Sequence, residues 1–231
     1  MKTIGLIGGM SWESTALYYR QLNEGAKARL GGLHSARVIL YSVDFHDVER
    51  LQRSGEWDQA GELLADAARA LSAAGADLLV LCTNTMHKVA PAIEKAVDLP
   101  LLHIADPTGD ALRRAGVTRV GLLGTRFTME QAFYRDRLSE RHGLEVLVPQ
   151  TDDRETVHRV IYEELCLGEI RAESRVAYQR IMTALVERGA QALILGCTEI
   201  GLLIGANDAP VPLFDTTALH ATAALEAALQ H

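Results

Sequence analysis

The stretch GADLLVLCTNT, residues 75–85, recurs without a gap as GAQALILGCTE at residues 189–199. Each copy opens on Gly-Ala, passes through a short apolar run of strand type and ends in a polar turn. Two further pairs follow the same order: GLIGGM (5–10) with GLLGTR (121–126), and PLLHIAD (100–106), loosely, with VPLFD (211–215). Short apolar runs recur by chance in α/β chains, so one pair alone carries little. Three pairs in one order favour a duplicated unit, two similar α/β lobes facing each other across a cleft.

The intervening sequence supports that reading. Strands are expected at 3–7, 38–43, 78–81, 101–104, 120–123, 145–148, 192–195 and 211–214, alternating with helices at about 13–30, 56–74, 88–97, 107–115, 129–142, 153–167, 169–188 and 217–230. Repeated strand-then-helix order is the signature of β-α units around a mostly parallel sheet. The expected fold class is therefore α/β, with two pseudo-symmetric lobes, each a mostly parallel sheet flanked by helices. Residues 1–106 with 213–231 form the first expected lobe and 107–212 the second.

Composition narrows the function. The 231 residues carry a net charge of -7, with no basic run and only 5% aromatic residues, so neither a nucleic acid nor an anionic membrane is the expected partner. MKTIGLIGGM lacks the uninterrupted apolar stretch of a signal peptide. No segment approaches the roughly 20 apolar residues that span a bilayer. Three scattered cysteines, Cys82, Cys166 and Cys197, contain no C-x-x-C and make neither a disulfide framework nor a zinc ribbon. A reducing cytoplasm is the expected compartment.

The repeat sets Thr83 opposite Cys197 and Cys82 opposite Gly196. Because side chains alternate along a strand, Cys82 is expected to point into packing and Thr83 to reach the carboxyl end, where open parallel sheets bind ligands. Cys197 stands at the end of LILG, with a helix expected directly after it. Free N–H groups there lower a thiol pKa and hold a carboxylate; the other reading is a core cysteine, and the residues alone leave both open. Thr83, Asn84 and Thr85 in one half and Thr198 in the other offer hydroxyl, amide and backbone donors for a carboxylate, or else simply cap their own helices.

Gly8, Gly9, Met10 and Ser11 read as a tight strand-to-helix turn. GLIGGM is not G-x-G-x-x-G, and no Gly-Lys-Ser/Thr ending follows, so no dinucleotide or nucleotide cofactor is expected. Asp44, His46, His87, His103 and Asp106 fall near strand ends without metal-ligand spacing, and no metal is expected. Cys166, in EELCLG, reads as helix packing.

Taken in order, GLIGGMSWEST, LCTNTMH, LLGT and GCTEIG resemble the aspartate/glutamate racemase family, in its broad-specificity amino-acid racemase branch, over essentially the whole chain. The resemblance implies two similar α/β lobes with the active site between them, a homodimer, no cofactor, and a small amino acid as substrate. It also implies two residues that exchange the Cα proton from opposite faces. The family's second cysteine maps to Cys197. Its first precedes Asn-Thr directly, and here that position is Thr83. Asn84, Thr85 and Thr198 match the carboxylate-holding residues, Met10 and Ser11 the pocket-lining turn, and Gln52 a side-chain contact. Glu199 completes the GCTE motif at the substrate. Aspartate-selective relatives place a basic residue in the IYEELCLG region, where this chain has Glu163 and Glu164.

A threonine hydroxyl does not ionise near neutrality, whereas a cysteine of reference pKa near 8.5 needs only a modest shift. The resemblance therefore implies a lopsided racemase, with Cys197 as main base and Thr83 opposite it. A related isomerase or lyase, or a non-catalytic carboxylate-binding protein, stands beside that reading.

Overall fold

The computed structural model describes residues 1–230 and divides the chain into two units, Met1–Ile104 together with the segment from His220 onward, and Ala105–Leu219. In the first, β1 (Ile4–Gly8) leads into α1 (Trp12–Leu30), β2 (Val38–Ser42), α2 (Phe45–Ser54), α3 (Trp57–Ala73) and β3 (Leu78–Leu81). A 3-10 helix (Thr85–Val89), α4 (Ala90–Ala96) and β4 (Leu101–Leu102) complete it. The second holds α5 (Ala105–Arg114), β5 (Arg119–Gly124), α6 (Arg126–Glu130), α7 (Ala132–His142), β6 (Glu145–Leu147) and α8 (Thr151–Glu163). It continues through α9 (Ala172–Glu187), β7 (Ala192–Gly196), the short α10 (Ile200–Leu203) and β8 (Leu213–Asp215); α11 (Thr216–Leu229) then crosses the unit boundary.

Both sheets are wholly parallel and share one strand order, β2-β1-β3-β4 and β6-β5-β7-β8. The repeated sequence thus folds into a repeated topology: β3 and β7 hold equivalent places, and Ile7 sits beside Leu81 as Leu123 sits beside Leu195. Parallel strands covered on both faces need near-continuous apolar sequence, and β1, β3 and β7 are buried throughout.

Alternation along the strands sorts the first unit's core into two layers. Ile4, Leu6, Leu78, Val80 and Cys82 pack with Tyr18 and Leu22 of α1 and with Ala221, Ala224 and Leu225 of α11. Ile7, Leu79 and Leu81 face the other way, onto Val48 and Leu51 of α2, Leu64 and Leu71 of α3, and Ile93 of α4.

Several elements differ from the sequence expectation. Strand β8, expected with the first lobe, pairs with β7 in the second unit, so 213–219 belongs there. Helix α2 was not expected; Asp44 caps it by accepting the His46 N–H at 2.9 Å, and Gly55 in the left-handed region ends it. The expected helix 129–142 is two helices, α6 and α7, broken where Gln131 takes an extended conformation. Among the described residues no helix is long and apolar enough to cross a membrane.

Candidate functional site

In each sheet the connections leave the two central strands in opposite directions, which opens a crevice at their carboxyl ends. In the first unit the residues at that edge are Gly8–Ser11, after β1, and Cys82–Thr85, after β3. They are neighbours through the strand pairing, and the Cys82 N–H donates to the Ile7 carbonyl at 2.9 Å.

The first turn needs its glycine. Gly9 has φ +96°, and a Cβ on it would lie 2.2 Å from the Val43 carbonyl oxygen. Its N–H donates to Thr15 Oγ1 at 2.8 Å, and that hydroxyl donates to the Ser11 carbonyl at 3.0 Å. Ser11 then caps α1, accepting the Ser14 N–H at 3.4 Å. Met10 and Ser11 are buried.

The second turn divides its side chains as alternation requires. Cys82 is fully buried, its thiol 3.8 Å from the Val80 carbonyl, and burial pushes its pKa strongly up. Such a thiol is inert. Thr83 is half-buried, while Asn84 and Thr85 are buried at the start of the 3-10 helix. Gln52, on α2, reaches this segment: its Nε2 donates to Met86 Sδ at 2.9 Å. Met10, Ser11, Gln52, Thr83, Asn84 and Thr85 are thus gathered around one sheet edge.

The equivalent edge of the second unit carries Gly124–Thr125 after β5 and Cys197–Glu199 after β7. The strands approach closely here, since a Cβ on Gly124 would lie 3.0 Å from the Gly196 carbonyl oxygen. Cys197 donates its thiol proton to Glu199 Oε2 at 2.9 Å. Thr217, fully buried at the start of α11, donates its hydroxyl to Thr198 Oγ1 at 3.0 Å, which turns the Thr198 proton elsewhere. Asp215 fixes that end of α11 by accepting the Thr217 N–H at 2.8 Å.

Of the two readings left open for Cys197, the one in which a helix N-terminus lowers its pKa does not hold here: burial, the Glu199 carboxylate and Cys166 push the thiol well up. The helix that follows, α10, has four residues, too few for a useful dipole, and it begins after a carboxylate rather than an anion-binding turn. The resting pair is a thiol donating to a carboxylate.

The IYEELCLG region also differs. Glu164 is buried and neutralised by Arg159 at 3.1 Å and Arg171 at 3.8 Å, and it accepts the Ser174 hydroxyl at 2.5 Å. Basic groups therefore do reach this region, from five residues before Glu164 and seven after it, spacings the motif does not display. The buried Tyr178 hydroxyl donates to the Val157 carbonyl at 3.1 Å, and burial together with the charges of Cys197 and Glu164 raises its pKa. The sequence signal for this group was a pair of glutamates, Glu163 and Glu164, set between apolar residues at the end of α8, where a buried carboxylate asks for cationic partners.

Among the described residues no group of three or more His, Cys, Asp or Glu has a metal-holding arrangement. His87, near a strand end, uses both ring nitrogens on backbone.

A duplicated four-stranded parallel α/β unit, with a thiol–carboxylate pair at one sheet's carboxyl edge and a hydroxyl–amide turn at the other's, defines a narrow class of two-unit α/β proteins. The chain belongs to the Asp/Glu/hydantoin racemase family, whose profile matches residues 7–224. It is 22% identical to the broad specificity amino-acid racemase RacX of Bacillus subtilis over 93% of each chain. A crystal structure from Yersinia pestis, assigned to the Asp/Glu racemases, is 60% identical over 100% of both chains, with a TM-score of 0.94. An aspartate racemase homologue from Pyrococcus horikoshii OT3 is 34% identical over 100% of both chains, with a TM-score of 0.85.

Proposed function

We propose that this protein is a pyridoxal-independent amino-acid racemase, acting on glutamate and aspartate or a broader set of polar amino acids. Cys197 is the main base that removes the Cα proton, and Thr83 stands across the substrate from it. The observation that carries this reading is the hydrogen bond from Cys197 Sγ to Glu199 at 2.9 Å. A carboxylate that already accepts the thiol proton supplies a thiolate on demand, although burial raises the resting pKa. Asn84, Thr85 and Thr198 hold the substrate carboxylate, Met10 and Ser11 line the pocket, and Gln52 meets the side chain. Relatives named for broad-specificity and aspartate racemisation support the substrate class.

Thr83 donates a hydrogen bond or relays a proton and does not ionise, so the two directions have unequal kcat. Since enantiomers interconvert with an equilibrium constant of one, unequal KM values must balance them. The protein works as a cytoplasmic homodimer in this reading; its three free cysteines suit a reducing compartment.

The test is Cα deuterium incorporation in D2O from each enantiomer of glutamate and aspartate, before and after hydroxylamine treatment to strip pyridoxal. Exchange that persists after treatment and disappears in Cys197→Ser is expected. Equal exchange from both enantiomers, indifferent to Cys197→Ser, sinks the assignment. The threonine in place of a second thiol favours one other reading, a carboxylate-binding protein without turnover. Thermal stabilisation by glutamate with no exchange would select it.

A further inference from the structure

The turn that carries Thr83 is held from beneath by imidazoles. His87 lies in the 3-10 helix just after it, fully enclosed. One ring nitrogen, Nδ1, is 2.7 Å from the Thr83 carbonyl oxygen; the other, Nε2, accepts the Ile104 N–H at 3.2 Å. A backbone N–H only donates and a carbonyl only accepts. His87 is therefore neutral, with its proton on Nδ1 donated to Thr83.

The same logic fixes a second ring. His220 Nε2 is 2.8 Å from the Leu102 carbonyl oxygen, so that nitrogen carries the proton. In the neutral ring its Nδ1 then accepts the Tyr18 hydroxyl, 2.8 Å away. Tyr18 on α1 and His220 on α11 thus tie down the Leu102 carbonyl of β4, and the Ile104 N–H, in the next peptide along the chain, holds His87 against Thr83. The ring of His103 lies 4.4 Å from that of His87, and His220 5.8 Å. Neither ring offers a negative charge to a protonated His87.

We propose that His87 is a positioning residue for the racemase site: it clamps the Thr83 carbonyl and thereby fixes the peptide that aims the Thr83 hydroxyl and Asn84. It takes no proton from substrate, because both nitrogens are committed to backbone. The inference rests on the reading of Thr83 and Asn84 as site residues. A clamp of this kind acts on turnover through geometry, where a displacement of about 1 Å costs roughly a hundredfold.

Two substitutions separate the ring's two bonds. His87→Asn keeps an amide N–H near the Nδ1 position and gives up Ile104; His87→Gln keeps an acceptor near Nε2 and gives up Thr83. Positioning predicts a kcat loss of roughly a hundredfold in His87→Gln and under about fivefold in His87→Asn, with KM within about threefold in both. Equal losses, or losses that follow melting temperature, show that the ring only fills space.

Should either variant fail to fold, imidazole ¹⁵N spectra of the wild type decide, with His87 assigned by elimination among the eight histidines. An Nδ1–H ring that stays neutral below pH 6.5 is expected. An Nε2–H ring, or one titrating near 6.5, overturns the clamp and leaves the racemase reading standing. A wild type that exchanges no Cα proton overturns the racemase reading, and the tautomer still decides whether His87 holds Thr83.

Discussion

The turns after β3 and β7 occupy equivalent places in sheets of identical order, yet they are built for different tasks. The first presents a hydroxyl and an amide and is held by a neutral imidazole donating to its main chain at 2.7 Å. The second presents an ionisable pair, Cys197 and Glu199, 2.9 Å apart, with Thr217 orienting the neighbouring Thr198 hydroxyl. The scaffold is repeated while the side chains differ: one edge carries neutral donors, the other an ionisable thiol–carboxylate pair.

The largest test removes the ionisable side. Cys197→Ser lowers Cα exchange by roughly 10²–10⁴-fold, the range of a lost general base; loss of less than tenfold would make the two edges equivalent. Next comes Glu199→Gln, with kcat at pH 7 down about a hundredfold. Removing that carboxylate also removes a charge that raises the thiol pKa, so alkylation of Cys197 by iodoacetamide shifts to lower pH even as turnover falls. Rate and alkylation moving together would mean that Glu199 is only electrostatic. Thr83→Cys narrows the comparison from the other side. It speeds the slower direction about tenfold, a barrier change near 1.4 kcal/mol, read from initial rates with each enantiomer. Thr217→Val frees the Thr198 rotor and raises KM roughly fivefold with kcat nearly unchanged, the scale of one hydrogen bond.

The smallest effect is one of pH. Folding holds His87 neutral because burial, then His103 and His220, lower its pKa well below 6.5, whereas the unfolded chain protonates it near that value. The unfolded state thus binds more protons below 6.5, and stability from this group is lost as the pH falls. In the second unit Asp106 has the same sign but a lower pH window. Its bidentate bonds to Arg137, at 2.7 and 2.6 Å, outweigh burial and hold its pKa below 3.8, so its contribution persists until the pH falls under that value. Hydrogen exchange between pH 7 and 5, corrected for intrinsic rates, should loosen 82–90 and 101–104 before 105–114. The reverse order would contradict a His87 held neutral by burial.

The scaffold was readable because it depends on pattern. Eight β-type apolar runs, seven of them followed by helical spacing, match the eight parallel strands, and the repeat aligns β3 with β7. The misses have local causes. Helix α2 is short and half polar, and its evidence was an Asp44 cap and a Gly55 stop rather than a long apolar face. Segment 213–219 followed the chain's return to the first lobe, but hydrogen bonding to β7 decides where it sits. At the site, alternation separates Cys82 from Thr83, since it follows from strand geometry. The direction of the Cys197 shift was not readable. It depends on burial and on where Glu199 points, and neither is fixed by the order Cys-Thr-Glu. The His87 clamp is likewise invisible in one dimension, because its second partner, Ile104, lies beyond another helix.

The thiol–carboxylate contact also bears on how long such a protein lasts. Peroxides and electrophilic metabolites attack thiolates, and Cys197 rests protonated against Glu199 while Cys82 is sealed in the core. With Cys197 as the proposed base, its sulfur is kept unreactive between turnovers, and ageing by oxidation should be slowest in the absence of substrate.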